Sequence, residues 1–179
     1  AEVWVQQTPI TGIPFIGNLP NSPLGGTKIV QLQNQQANGL CTKLAQSFPV
    51  TMNNSLFQFA YAGAYQDGGH TCCQQPFLKI RMLDCSGNLL ACSSLSLNPV
   101  GANCQTGATG YSVTNGVSWT NWQVKYIDLT PFIGQCLTIE VINSDCSPTG
   151  HWGTTYFDAV CGGNLICPTC TLPTSPQGT

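Results

Sequence analysis

The sequence predicts an all-β fold, a jelly-roll β-sandwich braced by disulfides. Three observations carry this reading: short runs that alternate apolar and polar residues, turn-forming clusters between them, and the near absence of a helical period. Lys28–Gln33, Leu56–Tyr61 and Phe77–Leu83 read as strands, as do Trp122–Asp128, Cys136–Asn143 and Thr154–Cys161. Asn53-Asn54, Asp67-Gly68-Gly69, Ser86-Gly87-Asn88, Pro131–Gly134 and Ser147–Gly150 separate them. Gly39–Phe48 comes nearest to a helical pattern and is short. Even spacing of short strands is the signature of a sandwich.

Composition places the chain outside the cell. Eleven cysteines in 179 residues would be free thiols in a reducing cytosol and mostly disulfides in an oxidising compartment. An odd number leaves at least one cysteine free or bonded outside the chain. Charged residues make up 7% of the sequence, far below the roughly 25% of an average domain. The net charge of −2 and the lack of a basic run argue against nucleic acid as a partner. The apolar stretches are too short and interrupted to span a bilayer, so membrane insertion is not expected. The opening Ala1-Glu2-Val3-Trp4-Val5 lacks the basic region of a signal peptide, and the chain reads as a mature or excised segment of a secreted protein.

Three regions are expected. Residues 1–27, with Pro9, Pro14, Pro20 and Pro23, form an extended N-terminal segment whose Glu2–Gln7 run could pair with a neighbouring subunit or within its own sheet. Residues 28–163 form the sandwich, and residues 164–179 a Pro/Thr-rich tail or linker. The hairpin around Ser86-Gly87-Asn88 sets Cys85 and Cys92 across from each other, a pairing within disulfide reach. Cys136, Cys146 and Cys161 lie in or beside strands and are read as further braces, with connectivity open. Cys72, Cys73, Cys167 and Cys170 lie in a loop and the tail, where a free thiol or intermolecular bond is expected.

Asp128-Leu129-Thr130-Pro131 ends one strand, and Gly134 allows a left-handed step into the next; Trp122, Tyr126 and Ile127 are read as feeding the sandwich. Gly150 and Gly153 bracket His151-Trp152 and permit a bend.

Two segments carry a family resemblance. Trp122-Gln-Val-Lys-Tyr-Ile-Asp128-Leu-Thr-Pro131-Phe-Ile-Gly134-Gln-Cys-Leu-Thr-Ile-Glu140 is the first. Asp145-Cys146-Ser-Pro-Thr-Gly150-His151-Trp152-Gly153-Thr-Thr-Tyr156-Phe157-Asp158-Ala-Val-Cys161 is the second. They resemble a domain of very large secreted surface proteins of gliding bacteria and, more distantly, MAM-type and galactose-binding-like jelly rolls. The resemblance spans roughly residues 28–163; Thr149, where a second glycine is common, and the Cys72-Cys73 pair depart from it. It implies a module for adhesion, display or carbohydrate contact, without catalysis.

Several residues are candidate sites. Asp67 with His70, and Asp145 with His151, each set a carboxylate and an imidazole on a turn, the residue types of a metal site or an acid–base pair. The preferred reading has each Asp capping its turn and each His filling a polar niche. Asp158 sits in an apolar strand, where a hydrogen-bond network or a calcium ion must satisfy it. In the jelly rolls this chain resembles, an Asp on the last strand often binds calcium. Trp119, Tyr65, Tyr111 and Trp152 could line a sugar platform. Glutamate occurs only at Glu2 and Glu140, and no hydrolase or nucleotide-binding motif is present. The function expected is therefore a non-catalytic structural or adhesive module of a bacterial surface adhesin or filament, with copies of itself or neighbouring domains as partners. A calcium-dependent carbohydrate-binding module, with glycans as ligands, is the alternative; a secreted hydrolase ranks below both.

Overall fold

Side chains on a strand point alternately to its two faces, so the alternating runs dictate which residues meet in the core. The computed structural model describes residues 2–99, 110–148 and 150–161, apart from the side chains of residues 91–94 and 161. The strands are β1 (Val3–Gln7), β2 (Ile10–Ile13), β3 (Gly17–Leu19), β4 (Lys28–Leu32), β5 (Cys41–Pro49) and β6 (Leu56–Gln66). They continue as β7 (Phe77–Asp84), β8 (Leu89–Leu97), β9 (Ser112–Thr114), β10 (Val117–Asp128), β11 (Cys136–Ser144) and β12 (Gly153–Cys161). All pairings are antiparallel. A six-stranded sheet has the order β1-β4-β12-β6-β10-β9, and a four-stranded sheet the order β5-β11-β7-β8. The chain crosses between the sheets at most connections, so the fold is an all-β sandwich. No helix among the described residues is long and apolar enough to cross a membrane.

The alternating runs fill the space between the sheets. Phe57, Phe59 and Tyr61 of β6 meet Leu78 and Ile80 of β7 and Leu137 and Ile139 of β11, all buried. Each such side chain contributes roughly 1.5–3 kcal/mol on burial, so packing is the main source of stability and disulfides add to it. The strand order also assigns one segment left open and corrects one expectation. Gly39–Phe48 is not helical: Thr42, Leu44, Gln46 and Phe48 share one face of β5, a pattern diluted because β5 is an edge strand. Tyr126 does not feed the core; it lies outward and 42% exposed, because its neighbour Ile127 takes the inward position.

A second core lies on the outer face of the larger sheet. Ala62 and Ala64 alternate with the inward Tyr61 and Tyr65, and Ile13, Ile16 and Leu19 of the β2–β3 hairpin pack over them. Alanine has low strand propensity, but only small side chains admit this lid. Residues 3–19 are thus part of the same fold, and β1 pairs with β4 in its own sheet. Asp128 caps the next turn, accepting from the Thr130 amide at 2.8 Å, and Gly134 takes φ 87° before β11.

Glu140 lies buried on the outer face of β11, between Lys43 of β5 (2.7 Å) and Arg81 of β7. Burial pushes its carboxyl up, but hydrogen bonds and charge from Lys43 and Arg81 outweigh that and hold it below its ordinary value of 4.5. A depressed carboxylate contributes stability above its unfolded pKa and loses it as pH falls through the folded one. Glu140→Gln is therefore expected to lower the melting temperature at neutral pH. Its difference from the native chain should vanish in melts taken from about pH 5 down to about pH 2.

Candidate functional site

Two loops meet at one end of the sandwich, the β6–β7 loop and the β11–β12 loop. The Gln66 amide donates to Trp152 O (2.9 Å) and the Ser147 amide to Gln74 O (3.0 Å), fixing the loops to each other. Buried Gln75 fastens the first loop from within. Its Nε2 donates to Asp67 Oδ1 (2.8 Å) and His70 O (3.1 Å), and its Oε1 accepts from the Gly68 amide (3.3 Å). In the second loop Cys146 and His151 are tied twice: the Cys146 amide donates to His151 O (3.1 Å), and the His151 amide to Cys146 Sγ (3.3 Å).

These constraints bring three side chains together. His70 Nε2 stands 3.2 Å from His151 Nδ1, and Cys146 Sγ stands 3.5 Å from the same nitrogen. The imidazole rings meet nearly edge-on, 5.0 Å between centroids. Cys146 is fully buried; both histidines are half-buried. It is the one group of three His, Cys, Asp or Glu among the described residues whose donor atoms all lie within 4.8 Å. Gly68 faces it so closely that a Cβ there would stand 2.4 Å from His151 Nδ1 and 2.5 Å from His70 Cδ2.

The two aspartates do not join this group. Asp67 Oδ1 accepts from the Gly69 amide (2.9 Å), closing its own turn. Asp145 holds three backbone amides, those of Asn38 (3.3 Å), Leu40 (3.2 Å) and Gly153 (3.0 Å). Burial raises its pKa, and those amides pull the other way without cancelling the effect.

The four aromatics expected to line a sugar platform do not share one face. Trp119 pairs with Ala64, and side chains alternate along β6, so Trp119 and Tyr65 take opposite faces of the sheet. Tyr65 is fully buried, and Tyr111 packs on the same core, its ring 6.2 Å from that of Tyr65. The Tyr61 and Tyr111 hydroxyls are buried and influence each other's ionisation, but they fall outside good hydrogen-bond geometry. Trp119 and Trp152 instead border the outer core, where Trp152 lies 6.0 Å from Phe15 and Trp119 Nε1 donates to Thr114 Oγ1 (3.1 Å). Asp158 is half-buried and accepts from the Ala159 amide at 2.9 Å. It lies on the rim of an apolar groove of about 420 Å³ between β4–β12 and β5–β11, floored by Val30, Phe57, Ile139 and Phe157.

The cysteines divide differently from expectation. Cys85 bonds Cys136, not Cys92. Asp84 accepts from the Ser86 (2.9 Å) and Asn88 (2.8 Å) amides, so the hairpin closes early and Cys85 rides on the turn. The β7–β11 register, with Leu137 opposite Asp84, then places Cys136 beside it. Cys146 is a free thiol and not a brace, as are exposed Cys41 and Cys73; Cys72 is disulfide-bonded. The side chains of Cys92 and Cys161, and the whole of residues 164–179 with Cys167 and Cys170, lie outside the described residues.

Sequence reasoning singled out both histidines but not Cys146 as their companion, nor Gln75 as their clamp. The usable signal was the Cys146–His151 spacing across a proline–glycine turn. No protein-family model matches the chain, and no curated protein matches it.

Proposed function

We propose that this chain is a non-catalytic structural module of the cell exterior, a jelly-roll unit of a bacterial surface adhesin or filament that associates with further copies of itself through its sheet edges. The observation that carries this reading is β1. Val3, Trp4 and Val5 are 36%, 39% and 70% exposed on the outermost strand of the larger sheet. An open edge presents unpaired amides and carbonyls, and monomeric proteins protect such edges with charge, proline or brevity. Of the four edge strands, β9 is three residues long and β5 carries Lys43 and Pro49, whereas β1 and β8 contain neither charge nor proline. The fold supports the jelly-roll reading, since, apart from the β7–β8 hairpin, β4, β6, β10 and β12 alternate in chain order with β5, β7, β8 and β11 of the other sheet. Carboxylates committed to turns and ion pairs suit a structural role. The inward Tyr65 and Tyr111 make the carbohydrate alternative the weaker one.

Sedimentation velocity over a concentration series tests the proposal. The native chain should associate as concentration rises, and Val5→Lys should stay monomeric at an unchanged melting temperature, because a surface substitution alters stability by only about 0.5 kcal/mol. A native chain that is monomeric throughout, or a Val5→Lys variant that associates equally, overturns it.

A further inference from the structure

We infer that His70, Cys146 and His151 are three ligands of a transition-metal site, best suited to zinc(II), with water in the fourth position. The donor set is the first argument. Two imidazoles and a thiolate suit zinc and other borderline-soft ions, whereas calcium and magnesium take oxygen ligands. The spacing is the second. Tetrahedral nitrogen and sulfur ligands at about 2.05 Å and about 2.3 Å from zinc stand roughly 3.3 Å (N···N) and roughly 3.5 Å (N···S) apart. The observed separations are 3.2 Å for His70 Nε2 to His151 Nδ1 and 3.5 Å for Cys146 Sγ to His151 Nδ1. One donor atom from each of the three residues lies within 4.8 Å of the other two.

Proton accounting is the third argument. His151 Nδ1 faces both His70 Nε2 and Cys146 Sγ, and one imidazole nitrogen makes only one well-directed hydrogen bond at a time. A metal ion satisfies all three donor atoms without a proton between them. The His151 amide already points at Cys146 Sγ and fixes where the sulfur sits in the loop. The loops holding the ligands are also pre-set, by Gln75 on one side and by the Cys146 amide bond to His151 O on the other. A cysteine–histidine nucleophile is the competing use of these residues. Full burial of Cys146 closes it to a substrate carbonyl, while an ion needs only the three donor atoms. Zinc would join two loops 81 positions apart, His70 and His151, as a staple that reductants do not cut.

The test uses the whole chain, prepared without reductant so that its disulfides persist, treated with chelator and desalted. Calorimetric titration with zinc should give one ion per chain, and zinc should raise the melting temperature. Cobalt(II) should produce a sulfur-to-metal charge-transfer band and tetrahedral d–d bands. Cys146→Ser should abolish the charge-transfer band. His70→Gln, at a half-buried position that leaves the core intact, should weaken zinc binding by more than the ~10–100-fold typical of losing a ligand's hydrogen-bond partner. Gly68→Ala should also weaken it, because the added methyl displaces His151. Cys41→Ser, Cys73→Ser and the Cys167→Ser/Cys170→Ser pair should leave the spectrum unchanged. The inference is overturned if the folded native chain shows no cobalt band, if His70→Gln binds zinc as tightly as the native chain, or if the band disappears with Cys167 and Cys170.

Discussion

Replacing Cys85 and Cys136 together by serine is expected to lower stability by about 4 kcal/mol. The bond closes a loop with a sequence separation of 51, and chain-entropy scaling for a loop of that size gives about 4 kcal/mol at room temperature. For a chain of this length that corresponds to a fall in melting temperature of about 8–16 °C. The variant pair is a cleaner test than a reductant, because Cys72 is also disulfide-bonded and would be cut at the same time. Cys85→Ser and Cys136→Ser singly should each produce most of the loss. A peptide map of the unreduced Cys92→Ser variant should still contain the Cys85–Cys136 cross-link. A double variant as stable as the native chain would mean that β7 and β11 are held by packing alone.

The same disulfide shows where reading the sequence succeeds and where it stops. Alternation placed the strands around Phe57, Ile80, Ile139 and Phe157 because each has a buried and an exposed face. It could not decide which strand becomes the neighbour of β7. That choice rests on non-local packing, and it moved the partner of Cys85 from its own hairpin to β11. The β2–β3 lid and the far half of β6 were hidden for a related reason. Ala60-Tyr61-Ala62-Gly63-Ala64 looks like poor strand sequence until something lies over its small side chains. A Cβ at Gly63 would stand 2.7 Å from Thr154 O and 2.8 Å from the Tyr65 ring, so the glycine makes room for a tyrosine on the inner face.

The candidate site was half legible. Asp67-Gly-Gly-His70 and Asp145 through His151 look alike in sequence, and both histidines do reach one point. Cys146 was concealed by its own chemistry: eleven cysteines read as a disulfide-rich composition, in which a buried cysteine is expected to be bonded. Only the backbone bond between Cys146 and His151 separates it from the braces, and Gly150, just before His151, takes φ 102°.

Asn143→Leu is expected to cost about 3 kcal/mol, although leucine fills the volume and suits a core strand. Asn143 is fully buried on β11, two residues beyond Val141 on the same inward face. Its Nδ2 donates to Gly153 O (2.7 Å) and to Gln33 Oε1, and its Oδ1 accepts from Thr155 Oγ1 (2.6 Å). Thr155 gives its one proton there, so Tyr65 must be the donor in the bond between their hydroxyls. Gln33 passes the chain on, donating from Nε2 to Leu40 O (2.7 Å) and accepting from Thr154 Oγ1 at its own carbonyl (2.9 Å). It does so at φ 57°, a left-handed backbone that a non-glycine residue keeps only when its surroundings hold it. Leucine at 143 would leave Gln33 Oε1 without its donor and the Thr155 hydroxyl proton without its acceptor in the core at once, which is why the loss should exceed that of one net hydrogen bond, about 1 kcal/mol. Tyr65→Phe removes only the terminal donor and should cost about 1 kcal/mol. Urea melts of both single variants and the double variant separate the alternatives. If the bonds act as one network, the two losses should fail to add by at least about 0.5 kcal/mol. If they add, Asn143 is a set of independent bonds and Gln33 is held in place by its backbone bond to Glu2 O instead.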